Sequence, residues 1–446
     1  MKQWILATLL FVSSAANAAV VAVVDSGVDF AHEELQPLMY QNPNEIPGNL
    51  IDDDGNGLVD DVNGWNFIDN YDRVFFREHL TSYDKIVYPL FRVIARRQAG
   101  TSRAQDDAYW NNHVMSLSEE KRQELLLHLN SFGQYVHGTH VAGIVAQESP
   151  TSKIISSRVF ADEPPPFYRH DLKREGWRWT DGLYWVLAQV QNVMFDQVAQ
   201  YNASIEADVA NYSLGVSMQM IARAILALRG NQEPTDEEVS AEASRAIEPF
   251  KKRARKWIDG APNTLFVVAA GNDGTNNDDF PVFPAIIRAP NLITVAATNG
   301  HSFLASFSNY GIKSVDIAAP GVAIDSAVPS LDRKTRLPLS GTSMAAPYVS
   351  GVAASVKEVN PQLTPSDVKQ ILMDTVDKKD WLTDKVISGG IVNSARARYA
   401  AKQLRSIDVT MDAAIRAARE AIPDHADLIE PAINNESDEF SKALIF

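Results

Sequence analysis

Asp25, His137 and Ser343 sit in three short strings, VVAVVDSGVD, HGTHVAG and GTSMAAP, far apart in a chain of 446 residues. In chain order they supply a carboxylate, an imidazole and a hydroxyl. A buried carboxylate can hold an imidazole in one tautomer and stabilise its charged form, and the imidazole can take the proton of a serine hydroxyl. A weak nucleophile thereby becomes one that attacks a carbonyl carbon. A fourth string, AAGN at 269–272, offers the Asn272 amide to the oxyanion that such an attack creates. Each residue also has a plainer reading: Asp25 as a turn residue in DSG, Thr342 and Ser343 as helix caps, Asn272 as a turn residue before Asp273-Gly274. His137 and His140 have the i, i+3 spacing of a metal pair, but no third ligand is apparent nearby.

These groups must be delivered to one place by the fold. The runs 20–24, 154–159, 208–212, 265–270 and 292–296 are short, apolar and often β-branched, which suits buried strands. Leu183, Val186, Leu187, Val190 and Met194 repeat at helical spacing. Strands alternating with helices predict an α/β architecture, a mainly parallel sheet covered on both faces. Asp25 ends an apolar strand, where catalytic groups gather in open α/β sheets. His137 is expected at the start of a helix. Ser343 is expected at the N-terminus of a helix running to about Val356, where the partial positive charge and the main-chain N–H favour a developing oxyanion. Pro347 is tolerable in its first turn.

The four strings, with SLG at 213–215, GLYWV at 182–186, ASFSNYG at 305–311 and DIAAPG at 316–321, resemble the subtilisin-like serine peptidases, or subtilases, from about 20 to about 400. The order Asp, His, Ser is also that of subtilisin. The resemblance implies a subtilisin-like three-layer sandwich and a serine endopeptidase working through an acyl-enzyme. Asp25, His137 and Ser343 would form its triad and Asn272 its oxyanion donor, leaving His140 a packing role. Ser213, Leu214 and Gly215 would pair with an extended substrate. The small residues Gly215, Ala269, Ala270 and Gly271 would leave room for a substrate side chain. A non-catalytic peptide-binding relative would lack a triad member, and none is missing. A dinucleotide-binding oxidoreductase would need G-x-G-x-x-G after 20–24, which is absent. Many family members carry a pro-region before the catalytic domain. Here only residues 19–24 separate Ala18 from Asp25, so an insertion or the C-terminal tail is expected to take over part of that work, or folding proceeds without it.

NLIDDDGNGLVDDVNGW at 49–65 is the second chemical feature. Asp52, Asp54, Asn56 and Gly57 fit the first half of the calcium-loop pattern, with the Leu58 carbonyl and Asp60 at the next ligand positions. Position twelve is Asn63 rather than glutamate, so the loop is not a complete EF-hand. The aspartates repel one another unless a cation neutralises them, and a structural Ca²⁺ is expected.

Composition bounds the rest. A formal charge of −15 argues against nucleic acid as a partner, and the absence of cysteine removes disulfides and thiol chemistry. Residues 1–18 read as a secretory signal: Lys2, an apolar run and the small-x-small end Ala16-Asn17-Ala18. That run is too short for a membrane anchor. The expected location is therefore secreted or periplasmic, with protein or peptide substrates as partners. We read 19–402 as one peptidase domain with insertions near 71–135, 161–181 and 216–263, and 403–446 as a helical, acidic C-terminal tail. In the first insertion, Ser116 and Glu119 could form a capping box before an apolar run at 125–129.

Overall fold

The computed structural model describes residues 18–160, 192–425 and 439–446. The signal segment through residue 17, the 161–181 insertion and most of the helical repeat that starts at Leu183 lie outside them. The apolar runs form strands β1 (Val20–Asp25), β3 (Lys153–Arg158), β4 (Val209–Tyr212), β6 (Leu265–Ala269), β8 (Leu292–Asn299) and β10 (Ile317–Pro320). Shorter strands β2 (Gly64–Asn66), β9 (Phe303–Leu304), β13 (Asp377–Lys378) and β14 (Gly390–Ile391) complete the sheet. Its order is β13-β14-β10-β8-β6-β4-β1-β3-β2, with β9 added to β8. From β2 to β14 every pairing is parallel; β13 and β9 run antiparallel to their neighbours. Two small antiparallel ribbons stand apart: β5 (Val216–Ser217) with β7 (Val282–Phe283), and β11 (Ile324–Ala327) with β12 (Arg336–Leu339).

The strands are apolar at consecutive positions because both faces are covered. Val21 and Val23 belong to one core, Ala22 and Val24 to the other. The first core is closed by α1 (Val87–Gln98), α2 (Ala104–Trp110), α3 (Glu119–Glu148), α7 (Thr342–Val359), α8 (Pro365–Asp374), α9 (Ser394–Gln403) and α10 (Met411–Ala421). The second is closed by α4 (Asn192–Ser204), α5 (Met218–Leu228) and α6 (Asp236–Gly260), the last two being the helical content expected of 216–263. The described chain ends with α11 (Glu439–Lys442) and four residues that follow it. Among the described residues no helix is long and apolar enough to cross a membrane.

Two local expectations are corrected. The helix of the first insertion is capped by Ser118, whose side chain accepts from the Lys121 amide, while the Ser116 hydroxyl donates to Asn112 and closes the preceding turn. That helix does not stop before the histidine. It continues as one rod through Glu148, so His137 lies deep inside α3 and not at a helix start. At 1.5 Å per residue the rod is about 45 Å long. Glycine inside it is unfavourable by about 1 kcal/mol relative to alanine. At Gly138 the reason is contact: a β-carbon there would stand 2.4 Å from the Gly27 carbonyl oxygen in the turn after Asp25.

His140, one turn beyond, is fully buried, and its Nε2 lies 2.9 Å from the Leu337 carbonyl and 3.0 Å from that of Ile324. It ties the β11–β12 ribbon to α3. Burial pushes its imidazole down from an ordinary value of 6.5 to about 3, so it stays neutral. Between those two values the unfolded chain binds a proton that the folded chain refuses, so stability is lost as pH falls, by up to about 1.4 kcal/mol per pH unit. His140→Gln keeps a donor for the carbonyls and removes the titration. Its melting temperature should fall less steeply than the parent's between pH 6.5 and 4, measured by thermal unfolding; identical slopes would place the acid sensitivity elsewhere.

Candidate active site

Because β1, β4 and β6 run parallel in register, their carboxyl ends share one edge of the sheet. Asp25 closes β1, Ser213 follows β4, and residues 270–272 follow β6. The N-terminus of α7, bearing Ser343, and the middle of α3, bearing His137, pack against that edge. The result is a cavity of about 270 Å³ whose lining includes His137, Ser213, Gly271, Asn272 and Ser343.

Asp25 is fully buried. Its Oδ1 accepts from the Ser26 amide at 2.7 Å and lies 2.7 Å from His137 Nδ1. Its Oδ2 has no hydrogen-bond partner among the described residues. The imidazole is thus held by Nδ1, which leaves Nε2 as the nitrogen for proton exchange. Three bonds lock the turn that presents Asp25. The Gly138 amide donates to Ser26 Oγ, the Asp29 amide to Thr139 Oγ1, and Arg158 Nη1 to the Ser26 carbonyl. Arg158 is almost fully buried at the end of β3, directly beside Asp25 in the sheet register.

The Ser343 hydroxyl donates to the Ser213 carbonyl at 3.2 Å. Its own main chain is fixed from the other side by a file of bonds. Ser350 Oγ donates to Asn211 Oδ1, Asn211 Nδ2 to Ser213 Oγ, and Ser213 Oγ to the Ser343 carbonyl, each at 2.8–2.9 Å. All four residues are buried.

Asn272 is oriented with equal care. Its Oδ1 accepts from the Thr342 amide at 2.9 Å and from Thr342 Oγ1 at 2.8 Å, and that hydroxyl in turn accepts from the Gly271 amide at 3.1 Å. With the oxygen occupied, the amide's NH₂ is left to serve the cavity. Thr342, read from sequence as a possible cap, positions this donor instead. Ser213, Leu214, Gly215, Ala269 and Gly271 line the same cavity, whereas Ala270 is fully buried, its carbonyl accepting from Asn277. Among the cavity-lining residues that had no signal in the strings are Ile445 and Phe446, at the other end of the chain.

The acidic loop lies away from this edge. Asp52 accepts from the amides of Gly55, Asn56 and Gly57, and Asp54 from Asn56 and from the Asn42 side chain. The Leu58 amide donates to Asn56 Oδ1. Asp60 departs from the expected set: its carboxylate turns to the amides of Gly48, Asn49 and Leu50, where a cradle of N–H donors competes for it. The carboxylate that joins Asp52 and Asp54 is Glu45, whose oxygens also accept from the amides of Asp53, Asp54 and Asp60. Beside them Asp61 is raised to about 6, by burial and then by the charges of Asp54 and Glu45. The donors are all hard oxygens, the set that suits Ca²⁺. A second gathering, His301, Asp377 and His425, is bound up with Arg396 and Asn393.

A doubly covered parallel sheet with a carboxylate, an imidazole and a helix-borne serine at its carboxyl edge defines a subtilisin-like α/β protein. The model of the subtilase family matches residues 16–393, and the chain belongs to that family. It is similar to subtilisin-like protease 2 of Plasmodium falciparum, 36% identical over 146 residues, 32% of this chain and 11% of that protein. Alkaline elastase YaB of Bacillus sp. is 37% identical over 137 residues, 31% of this chain and 33% of that protein. Subtilisin-like protease 1 of Plasmodium berghei is 24% identical over 395 residues, covering 84% of this chain and 49% of that protein. The chain spans half or less of the length of these curated relatives.

The Thr342 relay generates a test. Thr342→Val keeps the main-chain donor to Asn272 and removes the hydroxyl, which donates to Asn272 Oδ1 and accepts from the Gly271 amide; the bond lost to Asn272 is one neutral hydrogen bond worth about 1 kcal/mol. On a chromogenic peptide, kcat should fall by roughly fivefold with KM little changed. An unaltered kcat would mean that the amide needs no such anchor.

Proposed function

We propose that this chain is an exported serine endopeptidase that cleaves peptide bonds through Asp25, His137, Ser343 and Asn272. The observation that carries the reading is the 2.7 Å contact of His137 Nδ1 with buried Asp25, His137 itself lining one cavity with Ser343 and Asn272. An extended substrate would add its main chain alongside residues 213–215 and place its carbonyl between Ser343 Oγ and the Asn272 amide. The Ser343 hydroxyl leaves the Ser213 carbonyl, gives its proton to His137 Nε2, and bonds to the carbonyl carbon. Asp25 stabilises the imidazolium, and the Asn272 NH₂ with the Ser343 N–H stabilises the oxyanion. The C–N bond then breaks as His137 hands its proton to the leaving amine. Water attacks the resulting ester by the same path, returning the proton to His137 and then to Ser343.

Export rests on the signal-like residues 1–18, and the domain reading, one peptidase body with insertions and a tail, rests on the single sheet that strands from β1 to β14 share. Ca²⁺ belongs to the same proposal. Glu45, Asp52 and Asp54, with Asn56 and the Leu58 carbonyl beside them, would hold it, and its charge would relieve the repulsion among these carboxylates and brace the loop.

Ser343→Ala should lower kcat on casein by about 10⁶-fold, a magnitude known from a subtilisin and carried over here, with its melting temperature preserved. Adding His137→Ala should cost little more, because the two act as a unit. Undiminished hydrolysis by Ser343→Ala would sink the assignment. For the metal, calcium at 100 times its dissociation constant should stabilise the fold by about 2.7 kcal/mol, read as a higher melting temperature than in chelator. Asp52→Asn with Asp54→Asn should abolish that difference; an equal shift in parent and variant would move the site elsewhere.

A further inference from the structure

The last residues of the described chain lie in the cleft. After α11, Leu444 is buried in the core and Ile445 and Phe446 line the cavity with His137 and Ser343. The Phe446 amide donates to the Ser340 carbonyl at 2.8 Å, three residues before the serine, which is a main-chain bond of the kind an added strand makes. Its ring lies 6.3 Å from the His137 ring and 6.1 Å from that of Phe91 on α1. Two glycines make the room. A β-carbon at Gly133, inside α3, would stand 2.1 Å from the Phe446 ring, and one at Gly341 would stand 1.3 Å from its carbonyl oxygen.

The first insertion grips the segment further back. Gln98 Nε2 donates to the carbonyls of Ser441 and Leu444, and Phe440 meets Trp110 of α2 edge-on at 5.4 Å. Helices α1, α2 and the first half of α3 thus form a cradle open to the cleft, and 439–446 fill it.

Position in the cleft says which half is filled. The walls Ser213–Gly215 and 269–272 frame the acyl side of the scissile bond, where the oxyanion donor and the small-residue pocket are. His137 must reach the leaving amine, so a substrate's departing half passes His137 and the Ser340-Gly341 segment after β12, where Phe446 now sits. We infer that residues 439–446 are an intramolecular ligand of the leaving-group half of the cleft, the Phe446 ring held in an aromatic-accepting subsite made by Gly133, Phe91 and His137 and its main chain admitted by Gly341, and that they compete with protein substrates for it. This rests on the peptidase reading above and adds to it a substrate feature: an aromatic side chain just beyond the scissile bond.

The test compares the parent, a form lacking 439–446, and full-length Phe446→Ala on internally quenched peptides that extend several residues past the scissile bond. If the segment occupies the cleft nine-tenths of the time, its removal lowers KM about tenfold with kcat little changed. Phe446→Ala should lower KM in the same direction, and peptides with phenylalanine beyond the cleaved bond should gain most. The synthetic peptide EFSKALIF should inhibit the shortened form competitively. Binding without catalysis is read separately, by fluorescence anisotropy of labelled EFSKALIF on the shortened chain carrying Ser343→Ala. Should the shortened chain fail to fold, KM of soluble Phe446→Ala decides. Parental KM in Phe446→Ala, or no binding of the labelled peptide to a folded shortened chain, overturns the inference. Failure of a fluorophosphonate to label Ser343 in every form, with the labelled peptide still bound, would instead overturn the peptidase reading and leave the docking intact.

Discussion

A carboxylate with no exposure to water at the end of a central strand is the constraint around which this molecule is arranged. Burying such a group is costly unless hydrogen bonds and a partner charge compensate. Asp25 obtains hydrogen bonds from its immediate surroundings: the Ser26 amide and the His137 imidazole, each at 2.7 Å. Everything that brings His137 to that distance is therefore part of the site. The absence of a side chain at Gly138 lets α3 approach the turn after Asp25, the Thr139 hydroxyl and Arg158 hold the turn itself, and neutral His140 fastens the next turn of the helix to the β11–β12 ribbon.

The serine half of the site is fixed by polar groups inside an apolar body. Ser350, Asn211 and Ser213 pass hydrogen bonds from α7 into β4 and back to the Ser343 carbonyl. Thr342 joins Gly271 and Asn272 to the start of α7 in the same way. In a low-dielectric interior, buried polar groups that satisfy one another set relative positions more sharply than apolar packing does. On the proposed peptidase reading, such donors, oriented before substrate arrives, need no reorganisation when charge develops.

The first insertion changes the character of the cleft. By running without a break into the histidine helix, it places its aromatic residues, Phe91 and Phe132 among them, within reach of the catalytic edge. Residues 439–446 lie against α1 and α2, through Gln98 and Trp110, and their last two residues line the cavity with His137 and Ser343. In the acidic loop, Asp60 accepts from three backbone amides, while the carboxylate gathered with Asp52 and Asp54 is Glu45.

The sequence by itself determined the parallel α/β sheet and the positions of its central strands, because strands buried on both faces need consecutive apolar residues. It also marked Asp25, His137, Ser343 and Asn272, because they stand in short strings that resemble those of the subtilases. The continuity of α3 was not legible. Gly133 and Gly138 look like weak points in a helix, and only packing against Phe446 and Gly27 shows why they are tolerated. Glu45, Arg158, Asn211 and Phe446 were equally silent, since their partners are 9, 132, 139 and 106 residues away from them in the chain, as measured to Asp54, Ser26, Ser350 and Ser340. Contacts of that span leave no local period or motif. They exist only once the sheet has brought distant segments to one edge, and that edge is what tertiary structure decided.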